Sequence, residues 1–292
     1  MISFPALIIF FSMVKIEHIL EKGSGSVNED QLVIGETIFG VFDGATSLEK
    51  PVHLQDENHA DPSCLPPEQT GGRLAATIAK NTFAANHHPL DVLGHAANTA
   101  ILGRMKASGV CLDRPGQVWS TSAAVVRIKD NGLEWFQTGD SHILLIYEDG
   151  SHKVLAQRDD HDFETLVMLK AAKDKTMDNP VLRRQVLKVR AGMNRHYGVL
   201  NGDPRAMAFT AGGQVSMDGV AAALLFTDGL SLPTPVPQRK KSFSDLTQNF
   251  QTLGLKGLHK KIRALEDQDP DRKMFPRFKC HDDIAAIALH FK

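Results

Sequence analysis

Three apolar segments that lie far apart in the sequence each carry an aspartate at one end. They are 38–42, followed by Asp43-Gly44; 221–226, followed by Thr227-Asp228-Gly229; and 284–289, preceded by Asp282-Asp283. An apolar run that stops at an acid is typical of a buried strand that delivers a carboxylate to the edge of a sheet. Hard cations are suited by oxygen ligands from separate segments, because no single loop then bears all the repulsion between the charges. The segments predict a fold that gathers strand ends around a cation.

Further acids occur at expected strand ends and turns, namely Glu29, Asp30 and Asp140. Any one of them alone is explained as a turn residue or a helix cap. A cluster of carboxylates, however, stays ionised only when cations neutralise it. Two Mg²⁺ or Mn²⁺ ions about 3.5–4 Å apart would do so and would activate a water molecule. The recurring motifs contain no histidine, which favours these metals over zinc.

Composition and missing motifs exclude several other functions. A net charge of −1 argues against a nucleic-acid-binding protein with a basic face. Gly139-Asp140-Ser141 lacks the nucleophile-elbow pattern, and no glycine-rich loop with a lysine is present to cradle a nucleotide. The three cysteines are few, odd in number and widely spaced, which is typical of reduced thiols in a cytoplasmic protein.

The first residues of the chain are apolar but do not resemble a membrane anchor. Residues 2–14 have no preceding Lys or Arg, are too short to span a membrane and are followed by no small-residue cleavage site. We therefore expect 1–12 to be an N-terminal extension or the result of a misassigned start. Residues 13–292 are expected to form one domain.

The middle of the chain alternates short apolar strands with tight turns. The turns are Asp130-Asn131-Gly132, Gly139-Asp140-Ser141 and Glu148-Asp149-Gly150. Such a succession of hairpins predicts antiparallel sheet. Helical periodicity is present at 71–85, 90–108, 163–173, 181–190 and 258–265, and 49–70 is a proline-containing loop. Helices embedded among antiparallel strands predict the α+β class.

Six short motifs occur in an order that resembles one family. They are Asn28-Glu29-Asp30, Phe42-Asp43-Gly44, Ser120-Thr121-Ser122-Ala123, Gly139-Asp140-Ser141, Phe226-Thr227-Asp228-Gly229-Leu230 and Asp282-Asp283-Ile284. The chain resembles, over about 14–291, the metal-dependent protein phosphatases of type 2C, in a bacterial-like subset. This resemblance implies two antiparallel β-sheets packed as a sandwich and flanked by helix pairs, in α-β-β-α layers, with a metal site at one end.

The resemblance also implies roles for individual residues. Asp43, the Gly44 carbonyl, Asp228 and Asp282 would ligate two Mg²⁺ or Mn²⁺ ions, and Asp43 and Asp228 would be the catalytic pair. Glu29 and Asp30 would hold metal-bound waters, and Asp140 would help to bind a third, weaker ion. Asp282 is the expected ligand because the first acid of its motif fills that role in the family; Asp283 is the alternative.

Two positions depart from the family pattern. Many members carry a histidine directly after the Asp-Gly, proposed as the general acid, and this chain has Ala45 there. Many also carry an arginine four residues before the glutamate that clamps the substrate phosphate, and this chain has Gly25. These departures affect protonation of the leaving group and capture of phosphate, and leave the expected ligands intact.

The sequence therefore predicts a cytoplasmic phosphatase of phosphoserine or phosphothreonine in proteins, in which a metal-bridging hydroxide attacks phosphorus in line. No nucleic-acid or membrane partner is expected. Two alternatives are open: a catalytically weak, phosphatase-like regulatory module that binds a partner, and a hydrolase of small phosphorylated metabolites. The sequence identifies neither the substrate protein nor the oligomeric state.

Overall fold

The computed structural model describes residues 14–45, 47–49, 69–85, 87–130, 132–157 and 160–291. The expected extension at 1–12 and most of the loop at 49–70 lie outside these residues. The strands are β1 (Lys15–Glu21), β2 (Gln31–Ile34), β3 (Ile38–Phe42), β4 (Gly44–Ala45), β5 (Ser120–Thr121), β6 (Ala123–Lys129), β7 (Gly132–Thr138), β8 (His142–Tyr147), β9 (His152–Val154), β10 (Ala211–Val215), β11 (Val220–Phe226) and β12 (Ile284–His290). The helices are α1 (Gly71–Ala84), α2 (Leu90–Ala107), α3 (Phe163–Ala171), α4 (Pro180–Ala191) and α5 (Ser244–Asp267). No helix in this described part is both long and apolar enough to cross a membrane.

Two five-stranded sheets form the centre of the molecule. One has the order β1-β12-β11-β8-β9 and the other β10-β7-β6-β3-β2, while β4 and β5 form a small separate pair. Every pairing in the two large sheets is antiparallel. The predicted α+β class with two antiparallel sheets is confirmed.

The central strands carry apolar side chains on both faces. One face of each sheet therefore packs against the other sheet, and the opposite face packs under helices. In β3, Phe39 and Val41 lie in the cluster between the sheets, together with Leu225 of β11 and Ile287 of β12. Phe42 of the same strand points to the opposite face and joins the cluster under the helices. Strands apolar on both faces are buried between two layers, which is why β3, β11 and β12 appear in the sequence as continuous apolar runs.

Helices cover the outer face of each sheet. α1 and α2 bury Phe83 and Ile101 against one sheet, and α5 buries Phe250 and Leu258 against the other. Gly254, at φ 67°, interrupts the helical backbone of α5, so α5 consists of two helical segments, as the other sheet is covered by the two helices α1 and α2. The four layers follow the order α-β-β-α, as expected.

The remaining helices, α3 and α4, lie between β9 and β10 in the chain and pack against each other. Two elements differ from the prediction. The helix expected at 258–265 extends back to Ser244, and β10 had not been expected. In both places glycines lower the local propensity; burial against the sheet stabilises α5, and backbone pairing with β7 stabilises β10.

Candidate metal centre

Acids from four separate chain segments line one cavity. Asp43 follows β3, Asp228 follows β11 after one intervening residue, Asp282 lies two residues before β12, and Asp140 lies in the turn between β7 and β8. All four border a cavity of about 340 Å³. β3 belongs to one sheet and β11 and β12 to the other, so the cavity opens at an end of the sandwich where both sheets deliver carboxylates.

The electrostatics of this cavity disfavour ionised carboxylates. Burial raises the pKa of Asp43 well above its usual range, and the charges of Asp30 and Asp228 add to the effect. Burial also raises the pKa of Asp228 to about 7, with contributions from Asp282 and Asp140. Groups of one sign in a shared, poorly solvated space repel one another, and an added cation would relieve this repulsion.

Glu29 and Asp30 are buried and do not border the cavity. The Thr227 hydroxyl donates a hydrogen bond of 2.6 Å to the Asp30 carboxylate, which joins the start of β2 to the end of β11. The Thr70 hydroxyl, at the N-cap of α1, donates to the carboxylate of Glu29. Both acids therefore lie behind the cavity wall, and their expected role as holders of metal-bound waters stays a prediction.

Close backbone packing fixes the position of Gly44. A β-carbon at this residue would lie 2.3 Å from the carbonyl oxygen of Gly72 in α1 and 2.8 Å from that of Glu29. The Ser122 N–H donates to the Asp43 carbonyl at 2.9 Å. Only glycine lets α1 approach this closely, and the contact holds the Asp43-Gly44 turn against the cavity.

The two acids before β12 have different surroundings. Asp283 is 3% exposed and accepts hydrogen bonds from the backbone N–H groups of Gly23 (2.7 Å) and Glu29 (2.9 Å). Asp282 borders the cavity, where it accepts a hydrogen bond of 2.7 Å from the Lys279 ammonium. Asp283 thus anchors the loop between β1 and β2, whereas the carboxylate of Asp282 faces the cavity.

Comparison with known proteins gives matches among solved structures. No family model matches the chain, and no curated protein matches it. The serine/threonine phosphatase PstP/Ppp of Mycobacterium tuberculosis superposes with a TM-score of 0.54 at 17% identity, covering 96% of this chain and 99% of that one. The PstP catalytic domain in complex with two manganese ions gives 0.53 at 16%, covering 95% and 97%. PppA of Pseudomonas aeruginosa gives 0.52 at 15%, covering 96% and 98%.

The chain has the fold of the bacterial serine/threonine phosphatases. At these identities the likeness concerns the fold alone. It extends over nearly the whole of each chain, and it is the fold that the resemblance to the type 2C phosphatases implies.

Three cations accompany the acids in this phosphatase fold, and the sequence motifs gave no sign of them. Lys279 and Arg190, the latter from α4, border the same cavity as Asp282. His161 borders it too, with its ring stacked on Tyr197 at a centroid distance of 3.9 Å. Each lies outside the six motifs; Lys279 is close to Asp282 in sequence, whereas Arg190 and His161 reach the site only through the tertiary structure.

These cations differ in their electrostatic environments. Burial lowers the pKa of Arg190. Burial also disfavours the charged form of His161, but the carboxylates of Asp162 and Asp140, at 3.6 and 3.7 Å from Nε2, outweigh it and raise the pKa of His161 above its usual value.

Lys22, the nearest basic residue to Gly25 in sequence, is exposed, and its side chain contacts only the Ser26 carbonyl among the hydrogen-bonding groups described.

Much of the remaining cavity wall is apolar, although Ser120, Ser122 and Asp162 also line it. Its aliphatic and thioether side chains are Leu48, Met177, Val186, Val189, Met193 and Val199. Most of them belong to α4 or to the segments beside it. The cavity therefore has a carboxylate end and an apolar end, with Arg190 on the helix that forms much of the apolar end.

The donor set fits Mg²⁺ or Mn²⁺ by its chemistry, since it consists of carboxylate oxygens and a backbone carbonyl. In the described part of the chain, however, no three His, Cys, Asp or Glu side chains already converge on a point that would hold an ion. Asp282 is paired with the Lys279 ammonium in this arrangement.

Proposed function

We propose that the protein is a metal-dependent phosphatase that hydrolyses phosphoserine or phosphothreonine in proteins. Asp43, Asp228, Asp282 and the Gly44 carbonyl would hold Mg²⁺ or Mn²⁺. The observation that carries the proposal is that carboxylates from the ends of both sheets line one cavity, in which burial and mutual repulsion raise the pKa of Asp43 and of Asp228. The fold shared with serine/threonine phosphatases supports it.

The bound ions would supply a water of lowered pKa for in-line attack and would neutralise charge on the phosphoryl oxygens. Asp43 and Asp228 place negative charge on two sides of the cavity and so would fix where the cations lie. Asp30, held by Thr227, and Glu29, held by Thr70, would support the ligands from behind. Asp140 would contribute to a third, weaker site.

Arg190 offers a phosphate clamp in place of the arginine that the family pattern has at Gly25. Its planar guanidinium makes paired, charge-assisted hydrogen bonds with phosphate oxygens when geometry allows. It borders the cavity from α4, where the partly apolar wall would receive the rest of the substrate.

His161 offers a proton donor in place of the histidine absent at Ala45. The ring borders the cavity, and nearby carboxylates keep it protonated to a higher pH than usual. A general acid needs a pKa near the working pH and a position beside the leaving group. Stacking on Tyr197 would hold the ring in place during the transfer.

The test measures hydrolysis of p-nitrophenyl phosphate and of a phosphothreonine peptide by the full chain with Mn²⁺ and with EDTA. We expect activity only with metal, and loss of most of it in Asp43→Asn. Asp218→Asn, at an exposed turn residue between β10 and β11, is the matched control and should keep full activity. Activity in EDTA, or full activity in Asp43→Asn, would contradict the proposal.

The same experiment separates the two alternatives. The pairing of Asp282 with Lys279 favours the regulatory module, because a cation of the chain already engages one of the expected metal ligands. Such a module would bind Mn²⁺ weakly and turn over neither substrate. A hydrolase of small metabolites would cleave the aryl phosphate and leave the phosphopeptide intact.

A further inference from the structure

A lysine is built into the carboxylate centre. Lys279 lies three residues before Asp282, with about one third of its side chain exposed, and its Nζ is 2.7 Å from Asp282 Oδ1. Both residues border the cavity. The Asp283 N–H also donates to Asp282 Oδ1, at 2.9 Å, so this oxygen already accepts two hydrogen bonds. The Asp282 carboxylate is therefore engaged by a cation that belongs to the chain.

The charges of the other acids in the centre also act on the Lys279 ammonium. Burial opposes its charge, but Asp282, Asp283 and Asp43 together raise the pKa of Lys279 above its usual range. Acids contributed by both sheets thus attract the Lys279 ammonium.

A divalent ion and this ammonium make conflicting demands on Asp282. To ligate an ion, the carboxylate must turn an oxygen to the metal, and the ammonium must move away because two cations at contact distance repel strongly in a poorly solvated site. Lysine carries its charge on a flexible four-carbon stem, so it can withdraw toward solvent. The metal must then supply the free energy that separates the ion pair.

We infer that Lys279 is a tethered cation that competes with the divalent metal for Asp282 and thereby sets the metal concentration at which the centre fills. This inference rests on the proposed metal-dependent function. It gives the protein two states: a metal-free state in which Lys279 neutralises Asp282, and a metal-filled state in which Lys279 is released toward solvent.

The test is calorimetric titration of Mn²⁺ into the metal-stripped full chain. Lys279→Met removes the competing charge and should tighten Mn²⁺ binding about tenfold or more, as expected for loss of a close charge–charge interaction. Lys279→Arg keeps the charge and should bind within about twofold of wild type. The matched control is Lys273→Met, because Lys273 pairs with Asp271 at the same 2.7 Å but is exposed and does not border the cavity.

A second readout does not depend on activity. Metal-free Lys279→Met should melt at a lower temperature than wild type, because Asp282 loses its partner, and Mn²⁺ should raise its melting temperature by more. If Lys279→Met does not fold without metal, the titration is made on Lys279→Gln, whose neutral amide can still donate to Asp282. This variant should also bind Mn²⁺ more tightly than wild type.

The outcomes separate the inference from the proposed function. If wild type binds Mn²⁺ and Lys279→Met or Lys279→Gln binds it no more tightly, the inference fails and the metal site stands. If Lys273→Met tightens binding equally, the effect is one of net charge and the inference fails. If neither wild type nor the Lys279 variants bind Mn²⁺, both fail. Binding by Lys279→Met alone would support the inference strongly.

Discussion

Replacing Asp228 by asparagine should have opposite effects on stability and on activity. A carboxyl group whose pKa moves from 3.8 to about 7 on folding costs about 4 kcal/mol of folding free energy when it is ionised, at about 1.4 kcal/mol per pH unit. In EDTA at pH 8, where Asp228 of wild type is ionised, Asp228→Asn should therefore be more stable than wild type by about 4 kcal/mol.

The pH dependence of the free energy of unfolding tests the direction of this stability change. The folded state holds the Asp228 proton more tightly than the unfolded state, so wild-type stability falls as pH rises from about 4 to about 7. Asparagine does not titrate. The advantage of the variant should therefore be absent near pH 4, grow between pH 4 and 7, and stay constant above that range.

Urea unfolding of the metal-free protein at pH 4, 6 and 8 measures this directly. A gain of about 4 kcal/mol should also raise the melting temperature by about 6 °C in a domain of this size. Asp218→Asn should leave stability unchanged at every pH. With saturating Mn²⁺ the order should reverse, because wild type gains more from a ligand that it binds more tightly. An Asp228→Asn protein that is less stable than wild type at pH 8 in EDTA, or whose gain is independent of pH, would refute this reasoning.

Two further predictions concern the packing around the site. Gly44→Ala places a β-carbon 2.3 Å from the Gly72 carbonyl oxygen and should cost about 3 kcal/mol in urea unfolding and weaken Mn²⁺ binding. Gly103→Ala, at an exposed helical position with open space around it, should stabilise by up to about 1 kcal/mol; equal effects of the two changes would contradict the close approach. Burial lowers the pKa of His142 to about 3, so the unfolded chain takes up a proton at this residue before the folded protein does. Between pH 7 and pH 4, wild type should therefore lose about 3 kcal/mol more free energy of unfolding than His142→Phe. The same pH dependence of the free energy of unfolding in both proteins would show that His142 is hydrated.

The strand ends could be predicted from the sequence because a buried strand and the acid that follows it are adjacent in the chain. Asp43 and Asp228 follow from this pattern alone. Asp282 and Asp283 could not be distinguished in the same way, since their roles depend on contacts with distant residues. Asp283 is held by the N–H groups of Gly23 and Glu29, more than 250 positions away.

The cations of the site could not be predicted for the same reason. Arg190 belongs to an ordinary amphipathic helix, and no local pattern distinguishes it from its neighbour Lys188. The first half of α5 was missed because its glycine and small polar residues are poor helix formers. Burial of Leu246 and Phe250 against the sheet stabilises it nevertheless. Tertiary packing overrides propensity in such segments.

The structure allows a direct test of an arginine at Gly25, where the family pattern has one. A β-carbon at Gly25 would meet only the Val27 carbonyl oxygen, at an ordinary 3.5 Å, and Gly25 does not have a positive φ. The backbone there accepts any side chain, so Gly25→Arg should fold normally. Gly25 lies in the loop between β1 and β2. Asp283 anchors this loop by accepting hydrogen bonds from the backbone N–H groups of Gly23 and Glu29. An arginine placed there extends from a loop that is anchored by the neighbour of Asp282, and the kinetics of the variant test whether it reaches the phosphate.

Arg190 and an arginine at position 25 should act on the same phosphate. Arg190→Ala should raise the KM for p-nitrophenyl phosphate by about 10-fold or more, the value of one or two charge-assisted hydrogen bonds. Gly25→Arg should lower KM in wild type and restore part of the loss in Arg190→Ala, whereas Gly25→Leu, of similar bulk without charge, should do neither. If Gly25→Arg melts like wild type and leaves KM unchanged in both backgrounds, the loop does not reach the phosphate. Capture of the substrate would then depend on the α4 side of the cavity and on the metals alone.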